Sequence, residues 1–128
     1  MTEPAPHHPL EVTFLLHAAE LLPDDPPVDD LGPLFAAAAR VNARSMEHDV
    51  YSSVHFKAAA LLQTLAKLPC LEHSNDTFAW HSTEAYLSLH GRRLEYPPIA
   101  AVILVRDVAA GTLSVPRIAR QLRGWTVD

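Results

Sequence analysis

Residues 69–91, PCLEHSNDTFAWHSTEAYLSLHG, constrain the fold more than any other stretch of this chain. Pro69 ends any preceding helix, and a short irregular loop then leads to a helix that begins at Asn75 or Asp76 and ends at Gly91. Apolar residues cover most of the circumference of this helix, namely Phe78, Ala79, Trp80, Ala85, Tyr86, Leu87 and Leu89. Such a pattern is typical of a helix that other helices surround. The segment therefore predicts a central buried helix.

Five other segments carry apolar residues at helical spacing, with capping or helix-breaking residues at their ends. The predicted helices cover residues 9–22, Asp30 to Val41 with Asp30 as the N-cap, Ser53 to Leu68, Pro97 or Pro98 to Gly111, and Ser114 to Trp125. The second is predicted to bury Leu31, Leu34, Phe35, Ala38 and Val41, and the third Val54, Ala58, Leu61, Leu62, Leu65 and Leu68. We find no internal repeat and no alternating strand pattern. The prediction is an all-α fold, a compact single-domain bundle of about six helices over residues 1–128, with residues 1–8 disordered.

Length and charge exclude several classes of function. A chain of 128 residues has room for one domain. The net charge of −5, with Lys and Arg spread thinly, offers no basic stripe for a nucleic acid. The apolar runs end before the ~20 residues that a membrane span needs, and the start MTEPAPHHP has no signal-peptide pattern. Together with a single cysteine, Cys70, these features predict a cytoplasmic protein. Since the neighbours of Cys70 are apolar, we predict a half-buried thiol and not a nucleophile.

The segment 69–91 resembles the signature segment of the Fic/Doc family, in which a loop of pattern HxFxDGNKR leads into a central helix. The resemblance extends to both flanking helices and to the first two predicted helices, so it covers nearly the whole chain and implies a Fic/Doc-like fold. In that family the His of the motif is the general base, and its acidic residue binds Mg²⁺. The loop backbone and the basic residues hold the nucleotide phosphates.

This chain retains one of those loop residues, Asn75. In register with it, Pro69 stands at the position of the base and His73 at that of the metal carboxylate, while Leu71 and Ser74 replace the Phe and the Gly. Asp76 and Thr77 occupy the two basic positions. The resemblance therefore implies a degenerate site.

The replacements remove the chemistry that the family motif supplies. Pro69 cannot accept a proton, and loss of a positioned base alone typically lowers a rate by 10²–10⁴. His73 is a poor substitute for the oxygen ligand that Mg²⁺ prefers. At ~4 Å and an effective dielectric of ~20, the carboxylate of Asp76 would repel a phosphate by up to ~4 kcal/mol before screening. We therefore predict no transfer of nucleotide or phosphate, no cofactor and no metal.

The first functional hypothesis is a Doc-like protein that acts by binding a protein partner, as a component or regulator derived from a toxin–antitoxin module. In the family an antitoxin segment folds into a groove along the toxin's helices, which requires the fold but not the catalytic residues. Residues 45–53 correspond to the family's flap, so His48 and Tyr51 are predicted at a partner-binding edge, although a solvated loop is the alternative. His55, Asn75 and Thr77 are predicted as further contacts with a partner or substrate.

The second hypothesis is an enzyme of a different reaction class that uses the same cavity for a small molecule without phosphate. Glu72, His73, Asp76 and His81 lie within ten residues, and the bend before the central helix could bring His55 near them. His73 or His81 would act as acid or base, and Glu72 or Asp76 would orient it. A zinc site has no diagnostic ligand spacing here, and solvated polar residues of an inactive site remain the simplest alternative.

Overall fold

The computed structural model describes residues 9–127, so the prediction of disorder for residues 1–8 lies outside the described residues. The described chain forms six helices, α1 (Val12–Glu20), α2 (Gly32–Val41), α3 (Val54–Lys67), α4 (Asn75–Leu89), α5 (Pro98–Ala109) and α6 (Val115–Trp125). Four two-residue strands accompany them, β1 (Arg44–Ser45), β2 (His48–Asp49), β3 (Arg93–Leu94) and β4 (Thr126–Val127). The prediction of an all-α bundle of about six helices is confirmed.

Helices α3 and α4 share the centre of the bundle. α3 packs against α2, α4, α5 and α6, and α4 packs against α1, α3 and α5. On α4, the buried side chains are Phe78, Ala79, Ser82, Thr83, Tyr86 and Leu87. Leu89, predicted to be buried, is instead 62% exposed because it lies in the last turn, beyond the surrounding helices. The predicted central helix is therefore present, with α3 as its equal partner.

Local signals place most helix ends where the sequence predicts them. The hydroxyl oxygens of Ser53 and Ser114 accept hydrogen bonds from the amides of Phe56 and Arg117 and so cap α3 and α6. Gly91 and Gly111 adopt φ of 77° and 80° after α4 and α5, a conformation that favours glycine.

One predicted cap lies one residue from the backbone N-cap position, and another is wrong. The N-cap position of α2 is Leu31, and the Asp30 carboxylate caps the first amide of the helix by accepting a hydrogen bond from Gly32 at 2.8 Å, as predicted. The N-cap position of α4 is Ser74, whose side chain makes no capping bond, so neither Asn75 nor Asp76 caps this helix. The Asn75 side chain instead bonds to the loop backbone four and five residues before it, a conformation that helix propensity does not predict.

The buried face of α2 also differs from the prediction. Leu31 and Phe35 are exposed, whereas Pro33 and Ala37 join Leu34, Ala38 and Val41 in the core. The helix is rotated so that its small residues face the bundle, which allows close packing against α3. Leu68 was predicted as the last buried residue of the third helix, but it follows the end of α3 and is exposed. Apolar side chains on α2 are thereby left on the surface.

Strands β1 and β2 pair antiparallel as a hairpin, with Met46 and Glu47 at positive φ in its turn. Strand β3, in the segment before α5, pairs antiparallel with β4, which directly follows α6. Two-residue strands are too short to show the alternation that reveals strands in a sequence, so they escaped prediction. None of the helices within residues 9–127 is long and apolar enough to cross a membrane.

Candidate functional site

The loop between α3 and α4 is held against the connector that precedes α2. The amides of Asp29 and Asp30 donate to the carbonyl oxygen of Cys70 at 2.9 and 3.2 Å, and the Glu72 amide donates to the carbonyl oxygen of Pro27 at 2.9 Å. The connector, PDDPPVDD, is rich in proline, which limits its own freedom. The loop therefore has a defined path before the chain enters α4.

Asn75 closes this loop from the first residue of α4. Its Oδ1 accepts hydrogen bonds from the amides of Cys70 at 3.0 Å and Leu71 at 2.9 Å, and its Nδ2 donates to the carbonyl oxygen of Leu71 at 2.9 Å. Ser74, at φ 66°, turns the chain into the helix. The amides of Cys70, Leu71 and Glu72 all have acceptors within the protein, so this part of the loop backbone offers no free donors to an anion.

The Cys70 side chain takes part in packing and not in chemistry. It is 1% exposed, and burial followed by the nearby Asp30 carboxylate raises the pKa of its thiol to about 11. A thiol that stays protonated at neutral pH is a poor nucleophile. The cysteine is fully buried, and thus more buried than the sequence predicts.

The four side chains of the predicted acid–base cluster do not converge. Glu72, His73 and Asp76 are exposed, and His81 is half-buried on α4. His73 Nδ1 lies 2.9 Å from the hydroxyl of Ser74. Within residues 9–127, no hydrogen bond or ion pair joins any two of the four, and no group of three or more His, Cys, Asp or Glu side chains could hold a metal ion.

His55 lies in α3 and contacts Thr126 in β4. It is 8% exposed, and its Nε2 lies 2.8 Å from the Thr126 hydroxyl, which in turn donates to the carbonyl oxygen of Leu122 at 2.9 Å. Because that hydroxyl has one proton, His55 must donate through Nε2. Its hydrogen-bond partner is therefore in β4, not in the loop at residues 69–77.

Protonation of His55 is expected to weaken the fold. Burial, followed by the positive charges of Arg123 and Arg92, lowers the pKa of His55 below its ordinary value of 6.5. The unfolded chain then binds the proton more tightly, so this contribution to stability is complete above pH 6.5 and is lost as the pH falls through the lowered pKa. We predict that the melting temperature of His55→Gln falls less between about pH 7.5 and 5 than that of the wild type. Parallel curves would contradict this expectation.

The hairpin side chains named from the sequence differ in their surroundings. His48 is exposed in β2, whereas the Tyr51 hydroxyl accepts a hydrogen bond from Arg40 Nε at 2.8 Å, and the guanidinium lies 5.6 Å from the centre of its ring. Asp49 bridges Arg44 and Lys57, both at 2.9 Å. The hairpin is thus attached to α2 and α3 through charged and aromatic groups, while Met46 at its tip is 90% exposed.

A cleft of about 340 Å³ lies where α4 and α5 meet. Its lining includes Asp76 and Thr77, both named from the sequence, and adds Trp80, Tyr96, Pro98, Ala101, Val102, Val105 and Arg106. Tyr96 and Arg106 are lining residues that no sequence pattern predicted. Tyr96 lies in the short segment after α4 and Arg106 lies about two turns into α5, so no spacing in the sequence links either of them to the loop.

The fold and the site define the class of protein. It is an all-α protein of Fic/Doc-like fold, in which hydrogen bonds from Asn75 fix a short loop at the start of a central helix. No family model matches the chain. The protein named Toxin Doc from Mycolicibacterium smegmatis is 35% identical to this chain over 100 residues, which are 77% of this chain and 77% of that protein. The chain belongs to the Doc toxin family.

Proposed function

We propose that this Doc-family protein does not transfer nucleotide or phosphate and acts by binding a protein partner, as a component or regulator of a toxin–antitoxin system. The observation that carries the proposal is the set of residues at the motif positions. Pro69, His73, Asp76 and Thr77 stand where the resemblance places the base, the metal carboxylate and the two cations. Pro69 has no group that accepts a proton, and His73 lacks the oxygen ligand that Mg²⁺ prefers. Asp76 and Thr77 carry no positive charge for a phosphate.

The conformation of the loop supports the negative half of the proposal. The amides of Cys70, Leu71 and Glu72 already have acceptors in Asn75 and Pro27. A phosphate at this part of the loop would have to displace the Asn75 side chain and would also approach the carboxylate of Asp76 at the first turn of α4. Both effects oppose anion binding.

Exposed apolar side chains and a groove support the partner-binding half of the proposal. Apolar side chains are exposed at the end of α1, on α2, after α3 and on the hairpin, namely Leu21, Leu31, Phe35, Met46, Val50 and Leu68. Between α2 and α3 lies an open groove of about 380 Å³ lined by Ala36, Arg40, Gln63, Thr64, Lys67 and Leu68. A groove of this kind accepts the apolar face of an amphipathic helix.

The charges beside the groove indicate which helix would fit. Arg40 donates to the neutral hydroxyls of Tyr51 and Thr64, and neither Arg40 nor Lys67 forms an ion pair within residues 9–127. Two cations beside an apolar groove favour a partner helix that has carboxylates at the edge of its apolar face. The proposed partner is therefore an acidic amphipathic helix of an antitoxin-like protein.

The proposal predicts that ATP or GTP with Mg²⁺ does not raise the melting temperature of the wild-type protein. A ligand at 100 times its dissociation constant would stabilise the fold by about 2.7 kcal/mol, which thermal-shift measurements detect easily. The matched control is the double variant Asp76→Lys, Thr77→Arg, in which both cations of the family motif return. For this variant we expect a small rise that disappears with added salt. A clear Mg²⁺-dependent rise in the wild type would contradict the proposal.

A further inference from the structure

The cleft between α4 and α5 has features that binding of an antitoxin-like helix does not use. Four of its nine lining residues are apolar residues of α5, namely Pro98, Ala101, Val102 and Val105. Its polar groups are few, and its volume of about 340 Å³ falls in the range of roughly 300–1,000 Å³ that is typical of small-molecule sites. The cleft thus has the general composition of a ligand site.

One end of the cleft is an aromatic wall with a fixed geometry. Trp80 Nε1 donates to the Tyr96 hydroxyl at 3.0 Å, and that hydroxyl donates to the Glu84 carboxylate at 2.7 Å. The rings of Trp80 and Tyr96 meet edge to face at 87° with centroids 5.1 Å apart, and Trp125 packs against both. Since every polar atom of this pair already has a partner, the wall is ready to receive an apolar group.

The other end of the cleft is polar. Tyr96, just before α5, lies beside Glu84 in the middle of α4, whereas Gly111, just after α5, lies beside Lys67 at the end of α3. Helix α5 therefore runs back along α4, so Arg106 in its last turn lies at the same end as Asp76 and Thr77.

Both charged groups at this end lack a partner of opposite charge. Within residues 9–127, neither the Asp76 carboxylate nor the Arg106 guanidinium forms an ion pair. A carboxylate and a guanidinium that line one cleft without pairing present an acceptor and a set of donors to the same ligand. Charge-assisted hydrogen bonds to such groups are stronger than neutral ones.

We propose that this cleft binds a small zwitterion of the amino-acid type with an aromatic or bulky apolar body. The ammonium group would lie at Asp76, the carboxylate at Arg106 with the Thr77 hydroxyl as a further donor, and the apolar body against Trp80 and Tyr96. A ligand with an anion alone would meet the Asp76 carboxylate, and one with a cation alone would meet Arg106. The proposal concerns binding and assigns no reaction. It does not depend on whether the groove between α2 and α3 holds an antitoxin.

The test uses three probes that differ in charge and share a phenyl ring, namely L-phenylalanine, 2-phenylethylamine and 3-phenylpropionate. Binding to the full chain is followed by the shift of the Trp80 indole N–H signal in an NMR titration, with Trp125→Phe used to assign that signal. L-Phenylalanine is expected to bind saturably with a dissociation constant below roughly 1 mM. Each singly charged probe is expected to bind about tenfold more weakly, because one charge-assisted hydrogen bond is absent.

Two variants identify which group recognises which end of the ligand. Asp76→Asn is expected to weaken L-phenylalanine about tenfold without weakening 3-phenylpropionate, and Arg106→Gln to weaken L-phenylalanine about tenfold without weakening 2-phenylethylamine. Glu47→Gln and Arg117→Gln, which change exposed charges outside the cleft, are the matched controls and should leave all three affinities unchanged. Equal melting temperatures of all four variants show that the fold is intact.

Three results would overturn the proposal. They are the absence of a saturable shift of the Trp80 signal, equal affinity for the three probes, and displacement of L-phenylalanine by ATP with Mg²⁺ at comparable concentration. The last result would also overturn the proposed function, whereas the first two would leave it untouched, so the two failures can be told apart.

Discussion

Phe35→Glu and Leu68→Glu are each expected to lower the affinity for the antitoxin-like partner by at least about 30-fold. Both side chains are exposed; Leu68 lines the groove between α2 and α3, and Phe35 lies on α2 next to Ala36, which also lines it. An apolar side chain at the centre of an interface typically contributes about 2 kcal/mol or more to binding, and a carboxylate in its place would also be desolvated and would repel an acidic helix. The measurement is calorimetric titration with the purified product of the gene next to that of this chain.

Ile99→Glu provides the matched control for this experiment. Ile99 is 65% exposed on α5, so the substitution adds the same charge to an equally accessible apolar site away from the groove. We expect the control to bind like the wild type. If the control weakens binding as much as Leu68→Glu does, the groove is not the binding surface. If the wild type itself does not bind, the partner-binding half of the proposed function is wrong for this neighbour.

Asn75→Ala is expected to destabilise the fold by about 2–4 kcal/mol, which lowers the melting temperature by roughly 10 °C. The substitution removes the acceptor of two loop amides, those of Cys70 and Leu71, and the donor to the Leu71 carbonyl. These groups are partly or fully buried, so water replaces the lost bonds incompletely. Urea denaturation with unchanged slope would show that the loss reflects stability alone.

Asn75→Asp separates the two roles of the amide. The carboxylate retains the acceptor for both amides but loses the donor to the Leu71 carbonyl, so a smaller loss than for alanine is expected. Glu72→Ala, two residues beyond Cys70 in the same loop, alters an exposed side chain and is expected to change stability by less than about 0.5 kcal/mol. If Asn75→Ala proves as mild as Glu72→Ala, the loop does not depend on this side chain.

The structure gives Asn75, which the resemblance aligns with the family motif, a role within the loop itself. Its predicted contact with a partner or substrate remains a prediction. The described contacts of its side chain are all with the loop backbone. A sequence identifies an amide that is able to bond with a loop, but which backbone groups it reaches depends on how the loop folds back on α4.

Helix positions were predictable because the signals that set them are local. Pro69, Gly91, Gly111 and the caps Ser53 and Ser114 act on neighbouring residues, and each marks the boundary that it predicts. The faces of the helices were less predictable. Leu31 and Phe35 have the spacing of core residues, yet smaller side chains of α2 occupy the core, since close packing against α3 depends on the shape of both helices.

By itself, the sequence determined where the helices lie, because capping and helix-breaking residues act on their neighbours along the chain. It also predicts which residues stand at the positions of the family motif, and that remains a prediction. The tertiary structure alone decided that His55 meets Thr126, that Asn75 occupies the loop amides, and that Tyr96 and Arg106 share a cleft with Asp76. Most of these residues lie far apart along the chain. Turns and helix packing bring them together, so their proximity follows from the arrangement of the whole bundle.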